Sequence, residues 1–497
     1  MTAFFAQDAF DDMHPLAPPL QQLPLAHRLK GRFLIIGGIC LDVINVVQAY
    51  PDEDSACRAL SSERTRGGNA ANLSEVLSRL GASVEFVGAV PSRQHPDTQF
   101  LLQRLADANV SFPRLEQVGG GSGQPTAFIT VSAANGTRTI VSTRNALPEL
   151  SMGHVFSLFG GGGVLRGPSG GNPRGDLGGV DAPARNSSAD ATITIGDATI
   201  GDTTIGDATT GDATIGDATV EDATVGWCHF ECREMPGTCL MADLVRKAAA
   251  STQSVLASDE SGFASGESAS NSPPLRLNAS LLISVEIEKP SLDPFDLLDL
   301  LRSADVVFFS REFLLKHAVA ILDAVLDEEA QQGRDKQKKK AYPPPNVDFE
   351  SEWETVERTL ARRLRIQRTH SDPDWLVPRC LVALRRLSNA RNAYWFCAVG
   401  SNGAYGLRAA SNEPEQVSLH YSPASKPPRV VDTVGAGDTF IASAIYAIAN
   451  GAHIEQALSA ACTLAGGKVA QQGFVGVEKG LPKIAHLLPK AQTGSSA

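Results

Sequence analysis

Cysteine is scarce: eight in 497 residues, none in paired spacings. That excludes a disulfide-built scaffold and points to a reducing compartment. Long apolar runs are missing too. The best, Phe440–Ala449, is broken by Ser443 and ends at Asn450. A membrane helix needs about 20 apolar residues, so a protein built of spanning helices is excluded. The N-terminal stretch carries Asp8, Asp11 and Asp12 and has no basic start followed by an apolar block, which argues against a secretory leader and for a cytoplasmic protein. Positive charge is not in excess: 44 basic against 55 acidic residues give −11, the reverse of a nucleic-acid binder. No G-x-G-x-x-G follows the first apolar run, which disfavours a dehydrogenase, and Gly467-Lys468 is followed by Val469 rather than Ser or Thr, which disfavours a P-loop. Cys228, Cys232 and Cys239, with His229 among them, lack the usual zinc spacing; a strand followed by a helix explains them better.

What is present divides into core and filler. Residues 1–30 are rich in Pro, Leu and Gln and read as a disordered tail. Phe33–Ile36, ending in Gly37-Gly38, reads as a buried strand. Val43–Val47 and Arg58–Arg66 read as half-exposed strands, Asn69–Leu80 as a helix stopped by Gly81, Val84–Val90 as a buried strand and Thr98–Ala108 as a helix. Ala127–Ser132 and Thr137–Ser142 form a hairpin about Asn135-Gly136. Trp227–Glu231, Leu281–Ile287, Asp305–Phe309 and Tyr394–Val399 continue the strands, with helices at Met241–Ala250 and Arg379–Leu387 and two more between Val430 and Gly473. This alternation predicts an α/β fold, a doubly wound and mostly parallel sheet covered by helices. Three insertions interrupt it, at 160–226, 251–275 and 328–374. The first holds six imperfect I-G-D-A-T repeats from Ile195 to Thr224, with too little apolar mass to offset the entropy of ordering. The third holds Lys336–Lys340 and a basic helix bearing Val356, Leu360 and Leu364. All three are expected to be disordered or peripheral to one domain over 31–485, with a tail at 486–497.

Two motifs carry chemistry. In Val431-Asp432-Thr433-Val434-Gly435-Ala436-Gly437-Asp438-Thr439-Phe440, a strand is expected to enter a turn of small residues that opens an apolar helix. Unpaired N–H groups and the helix dipole attract phosphate there. Asp438 in the first turn can take a proton from a hydroxyl; the bland alternative is a capped tight turn. In Gly67-Gly68-Asn69-Ala70-Ala71-Asn72, two amides one turn apart face the same side of a helix start and can bond sugar hydroxyls. Asp42, Asp54 and Arg138 are further candidates, and each also suits a solvent-facing loop or strand position.

The ordered segments G-G-I-C-L-D-V, Y-P-x-E-D-S, R-G-G-N-A-A-N, N-G-T-R-T-I-V, C-H-F-E-C-R, V-E-I-E-K-P, P-P-R-V-V-D-T-V-G-A-G-D-T-F and Q-Q-G-F resemble the ribokinase-like (PfkB) carbohydrate kinases. Within them the likeness is to the ketohexokinases, which phosphorylate fructose at O1. The resemblance covers the core and misses the tail and the insertions. It implies a sugar site of Asp42, Asp54, Gly68, Asn69, Asn72 and Arg138. Asp438 would be the catalytic base, with Gly435, Ala436 and Gly437 as the anion hole. Arg138, Gly400, Ser401, Gly403, Pro427, Pro428, Gly435, Gly437 and Cys462 would lie around the nucleotide. It further implies ATP with Mg2+, a monovalent cation such as K+ as an additional candidate, and a β-clasp lid from about 40–66 and 126–142 through which two copies pair. Val399 and Ser401 stand where ketohexokinases carry Trp and Glu, and Arg311 where they carry Lys. The first two differences bear on nucleotide affinity rather than on phosphoryl transfer. Glu286, Glu288 and Glu312 are candidates for holding Mg2+ through water. The expected function is ATP-dependent phosphorylation of a small sugar, fructose first. The alternatives are a family kinase for ribose, a nucleoside or another sugar, or a silent sugar sensor or scaffold.

Overall fold

A computed structural model describes residues 31–135, 137–159, 224–235, 237–256, 275–333, 373–390, 393–409 and 417–489. The I-G-D-A-T repeats, the N-terminal tail and the basic helix of the third insertion lie outside the described residues. The chain separates into a unit of residues 1–162 and 223–497 and a second of 163–222; only the first is described below.

In chain order the strands are β1 Arg32–Ile36, β2 Cys40–Val47, β3 Ser61–Gly67, β4 Val84–Val87, β5 Ala89–Val90, β6 Glu116–Gln117, β7 Thr126–Ser132, β8 Arg138–Thr143, β9 Val225–Glu231, β10 Leu277–Ile287, β11 Val306–Phe309, β12 Tyr394–Ala398, β13 Ala404–Ala409 and β14 Val417–Ser422. Eight of them form one sheet in the order β14-β13-β12-β11-β10-β9-β1-β4. From β4 to β12 all neighbours are parallel; β13 and β14 add antiparallel at the edge. The parallel strands are apolar on both faces, as a sheet covered on both sides requires. Phe33, Ile35, Trp227, Phe308 and Phe396 pack under the helices Asn69–Arg79, Ala436–Ala449 and Ile454–Val469. Phe230, Ile283, Val285, Phe309 and Trp395 pack under Gly237–Leu256, Arg311–Gly333 and Leu376–Ser388 on the other side.

A second sheet, in the order β3-β2-β7-β8, stands at the end of the first. Its strands fall, to within a residue, in the spans 40–66 and 126–142 expected to form the clasp, called the lid below, and its β7–β8 pair is the expected antiparallel hairpin. The outermost strand, β8, is exposed along its whole length.

Several boundaries differ from the sequence reading, each for a local reason. The single strand expected over Val84–Val90 breaks at Gly88, where a Cβ would sit 2.5 Å from the carbonyl oxygen of Gly37. β9 opens at Val225, inside the span assigned to the first insertion, because Arg32 N–H bonds Thr224 O and draws that residue to β1. The helix Gly237–Leu256 runs past Ala250, and Arg311–Gly333 runs into the third insertion. Asp374, assigned to that insertion, is buried in a short turn, Pro373–Trp375. A helical turn, Ala485–Leu487, overlaps the expected C-terminal tail. No strand enters the motif at Val431, because β14 ends at Ser422 and Pro427 and Pro428 have no N–H for a ladder.

Glu85 is a buried carboxylate on β4 between Arg32 at 2.6 Å and Arg114 at 2.8 Å. Breaking a buried ion group leaves its partners uncompensated. Glu85→Ala is expected to lower the urea-unfolding free energy by about 3 kcal/mol; a loss below about 1 kcal/mol would place the pair among weak surface ion pairs.

Candidate active site

The helix Ala436–Ala449 starts at Gly435, whose φ of 76° lies in the left-handed region. A Cβ there would also sit 2.3 Å from the Phe474 ring, so the turn accepts only glycine. The loop before it is pinned by Asp432. Its carboxylate accepts from Lys468 Nζ at 2.6 Å, Val434 N–H at 2.8 Å and Gly473 N–H at 3.1 Å. The first helical bond runs from Thr439 N–H to Gly435 O at 2.9 Å. The N–H groups of Gly437 and Asp438 therefore precede the helical ladder and are available to an anion. Around Gly437 a Cβ would meet nothing within 4 Å, so an approaching group has room.

Asp438 is buried and accepts from Asn72 Nδ2 at 2.8 Å. Burial pushes its carboxyl up to about 7, helped by the charges of Glu288 and Glu231 and opposed by the Asn72 bond and the Arg66 charge. Proton affinity in that range suits a general base at neutral pH. Asn72 is itself held: its Oδ1 accepts from Arg66 Nη1 at 2.8 Å, and Arg66 Nη2 reaches Glu75 at 2.5 Å.

Opposite this helix the carboxyl ends of β9 and β10 deliver Glu231, Glu286 and Glu288. Gly38 N–H donates to Glu231 Oε2 at 2.8 Å. Asn69 Nδ2 bridges Glu286 Oε1 at 3.2 Å and Glu288 Oε2 at 2.8 Å. Burial, then the charges of Glu288, Asp438 and Glu231, hold Glu286 well above the usual carboxylate range; burial and Glu231 raise Glu288. Among the described residues no three His, Cys, Asp or Glu side chains form a ready-made metal cage. Glu286, Glu288 and Glu312 all face the cavity. Such oxygen donors fit a hard cation that keeps its waters and is held mainly by nucleotide phosphates.

The lid supplies the remaining wall. Asp42 on β2 is buried, takes the Cys40 thiol at 3.2 Å and abuts Gly67, where a Cβ would overlap its Oδ1 at 2.2 Å. Its carboxyl is raised by burial, against the Cys40 bond and the Arg66 charge.

The structure brings Asp42, Gly68, Asn69, Asn72, Arg138, Gly435, Gly437 and Asp438 together on a cavity of about 560 Å3. Ala436 adjoins it within the turn. Asp54 does not line it; it is exposed on the loop after β2 with a φ of 57°. The remaining nucleotide candidates form a separate group. Gly400 and Ser401 lie in the turn Gly400–Asn402, and a Cβ on Gly403 would sit 2.2 Å from Ser422 O. Cys462 donates its thiol to that same carbonyl at 3.8 Å, while Pro427 and Pro428 follow on the adjoining loop. None of this group lines the cavity.

Sequence reasoning missed four participants: Arg66, Glu231, Asp432 and Lys468. A signal existed for two. Glu231 closes an otherwise apolar strand at its carboxyl end, the place where open α/β sheets bind ligands. Asp432 shares the motif with Asp438. Arg66 stands in the R-G-G-N-A-A-N segment and Lys468 beside Gly467, but neither position indicated a role.

The family model of the pfkB family carbohydrate kinases matches residues 31–159 and 381–477. The chain is 26% identical to ketohexokinase of Mus musculus over 448 residues, covering 90% of this chain and 99% of that protein. Ribokinase from Giardia lamblia superposes with a TM-score of 0.51 at 14% identity, covering 92% of this chain and 99% of that one. Arabidopsis thaliana ribokinase complexed with ribose and ATP gives 0.50 at 14% identity, covering 92% and 99%. Over those two stretches the chain is similar to the pfkB carbohydrate kinases, and it has the ribokinase-like fold; these similarities support an ATP-dependent sugar kinase.

Asp438→Asn keeps the size and the bond to Asn72 but removes the proton acceptor. Turnover is expected to fall by roughly 10²–10⁴, with sugar binding little changed. Because the folded carboxyl holds its proton to about 7, against an ordinary 3.8, the folded state binds the extra proton between those values and loses stability as pH rises through them. The variant is therefore more stable than the parent at pH 8, and the gap narrows as pH falls from 7 to 4. Near-normal turnover, or a gap independent of pH, would reduce Asp438 to a helix cap.

Proposed function

We propose that the protein transfers the γ-phosphoryl group of ATP to a hydroxyl of a ketohexose, with fructose as the first candidate. The observation that carries this reading is the buried Asp438 carboxylate beside the open N–H groups of Gly437 and Asp438, at the floor of a cavity walled by sugar-bonding side chains. The similarity to ketohexokinase supports the ketohexose.

In this reading Asp42, Gly68, Asn69 and Asn72 surround the sugar, and Asp438 accepts the proton of the attacking hydroxyl. The sugar hydroxyl oxygen bonds the γ-phosphorus in line as the bond to the β-phosphate oxygen breaks, releasing ADP. The Gly435–Gly437 turn and Arg138, which lines the same cavity, stabilise charge on the transferred group. Mg2+ with the nucleotide would neutralise phosphate charge, held near Glu286 and Glu288. Gly400, Ser401, Gly403, Pro427, Pro428 and Cys462 would seat the nucleoside end. Positioning and preorganised charge supply most of such catalysis. The exposed Phe128 and Val141, paired across β7 and β8, support a dimer formed lid to lid.

In a coupled ADP-release assay against fructose, ribose, tagatose, glucose and adenosine, fructose is expected to give the highest kcat/KM. A preference for ribose or adenosine would move the substrate within the family, and silence toward all five would favour a sensor. With fructose, kcat/KM should rise about tenfold per pH unit below an apparent pKa near 7 and level off above it, since the base must be ionised. Sedimentation at micromolar concentration is expected to show a dimer that Phe128→Glu dissociates; a monomeric parent would end the lid-to-lid proposal.

A further inference from the structure

Arg66 is the last charged side chain of strand β3, yet it is almost wholly buried and points at the helix Asn69–Arg79 rather than at solvent. It faces Asn72, Glu75 and, more remotely, Asp42. Glu75 is shared with Arg79 at 2.7 Å, so Arg66 is not needed to neutralise that carboxylate. Its Nε has no partner among the described residues, a cost the fold carries while both terminal nitrogens are engaged.

The arrangement has a direction. A guanidinium only donates, so Asn72 must turn its Oδ1 toward Arg66 and its Nδ2 toward Asp438. Without the arginine the amide is free to flip and present Oδ1 to Asp438, where two acceptors face each other unless the carboxyl is protonated.

We propose that Arg66 is a positioning residue for phosphoryl transfer: it locks Asn72 as a donor to Asp438 and so ties the base to lid strand β3. The proposal rests on the reading of Asp438 as proton acceptor. It assigns Asn72 chiefly to the base, with both ends of its amide already used, and leaves the sugar to Asp42, Gly68 and Asn69. The groups acting on Asp438 are then Asn72, Arg66 and Lys468 on one side of the balance and Glu231, Glu286 and Glu288 on the other. Removing Arg66 takes away both a positive charge and the lock on the amide, and each change makes Asp438 hold its proton more tightly.

The test compares the parent, Arg66→Lys and the double variant Arg66→Met/Glu75→Gln, which places no glutamate charge beside the apolar side chain. In the double variant the acid limb of kcat is expected to move up by about one pH unit. Turnover would then fall about tenfold at pH 6.5 and return toward the parent at pH 9, with the sugar KM within about twofold. Arg66→Lys, which keeps the charge without the fork, should shift the limb by less. A uniform loss of kcat at every pH, or a raised KM with normal kcat, would overturn the proposal. A second readout needs no substrate: the pH at which the stability gap between Asp438 and Asp438→Asn stops widening, the midpoint of the folded-state titration, should move upward in the Arg66→Lys background. If no sugar is turned over but that midpoint moves, the substrate reading has failed and the Arg66 lock stands. If the midpoint stays fixed, the lock itself is wrong.

Discussion

The site depends on one buried negative charge that the fold does not neutralise. Asp438 shares its cavity with Glu231, Glu286 and Glu288, and its nearest direct partner is a neutral amide. Burial and the neighbouring negative charges raise the proton affinity of Asp438, Glu286 and Glu288. The arrangement costs stability, as functional sites often do. The same crowding makes the ligand-free cavity a poor place for another anion and a good one for polyhydroxyl groups and a hard cation. In the proposed reading the triphosphate is met by the Gly435–Gly437 turn and Arg138, since Gly435, Gly437 and Arg138 line the same cavity.

Everything else in the fold serves to hold that geometry. Parallel strands deliver Glu231, Glu286 and Glu288 from the same sheet end, because adjacent parallel strands end on the same side. Two helices that pack on one face of the sheet start there, bringing Asn69 and Asn72 from one and Asp438 from the other. The lid closes the space with Asp42 and Arg138. Asp432 and Lys468 lock the turn from behind, the ammonium itself buried and set over the Phe474 ring. Phe474 in turn forbids a side chain at Gly435. Base, anion turn and lid are thus joined through contacts between segments far apart in sequence.

How much of this was legible follows from where the constraints lie. Elements governed by local pattern could be read: the Asn69 helix from its apolar steps, the β7–β8 hairpin from Asn135-Gly136, the catalytic turn from its small residues. Boundaries governed by distant partners could not. Gly88 breaks a strand because of Gly37, and Val225 begins one because of β1, neither of which any window around those residues contains. The site divides the same way. Asp438, Asn69 and Asn72 announce themselves through glycine-flanked helix starts, whereas Arg66 and Lys468 matter only through the carboxylates and amide that folding brings beside them. Asp54 shows the converse: its motif was legible, but within one copy of the chain the loop keeps it in solvent, away from the cavity.

The central claim is that Asp438 is a buried base ready to exchange a proton near neutrality. The direct measurement is the titration of its side-chain carboxyl carbon by 13C NMR in ligand-free protein, identified by its loss in Asp438→Asn. The account predicts a midpoint near pH 7. A midpoint near 4, the value of a solvated carboxylate, would contradict it.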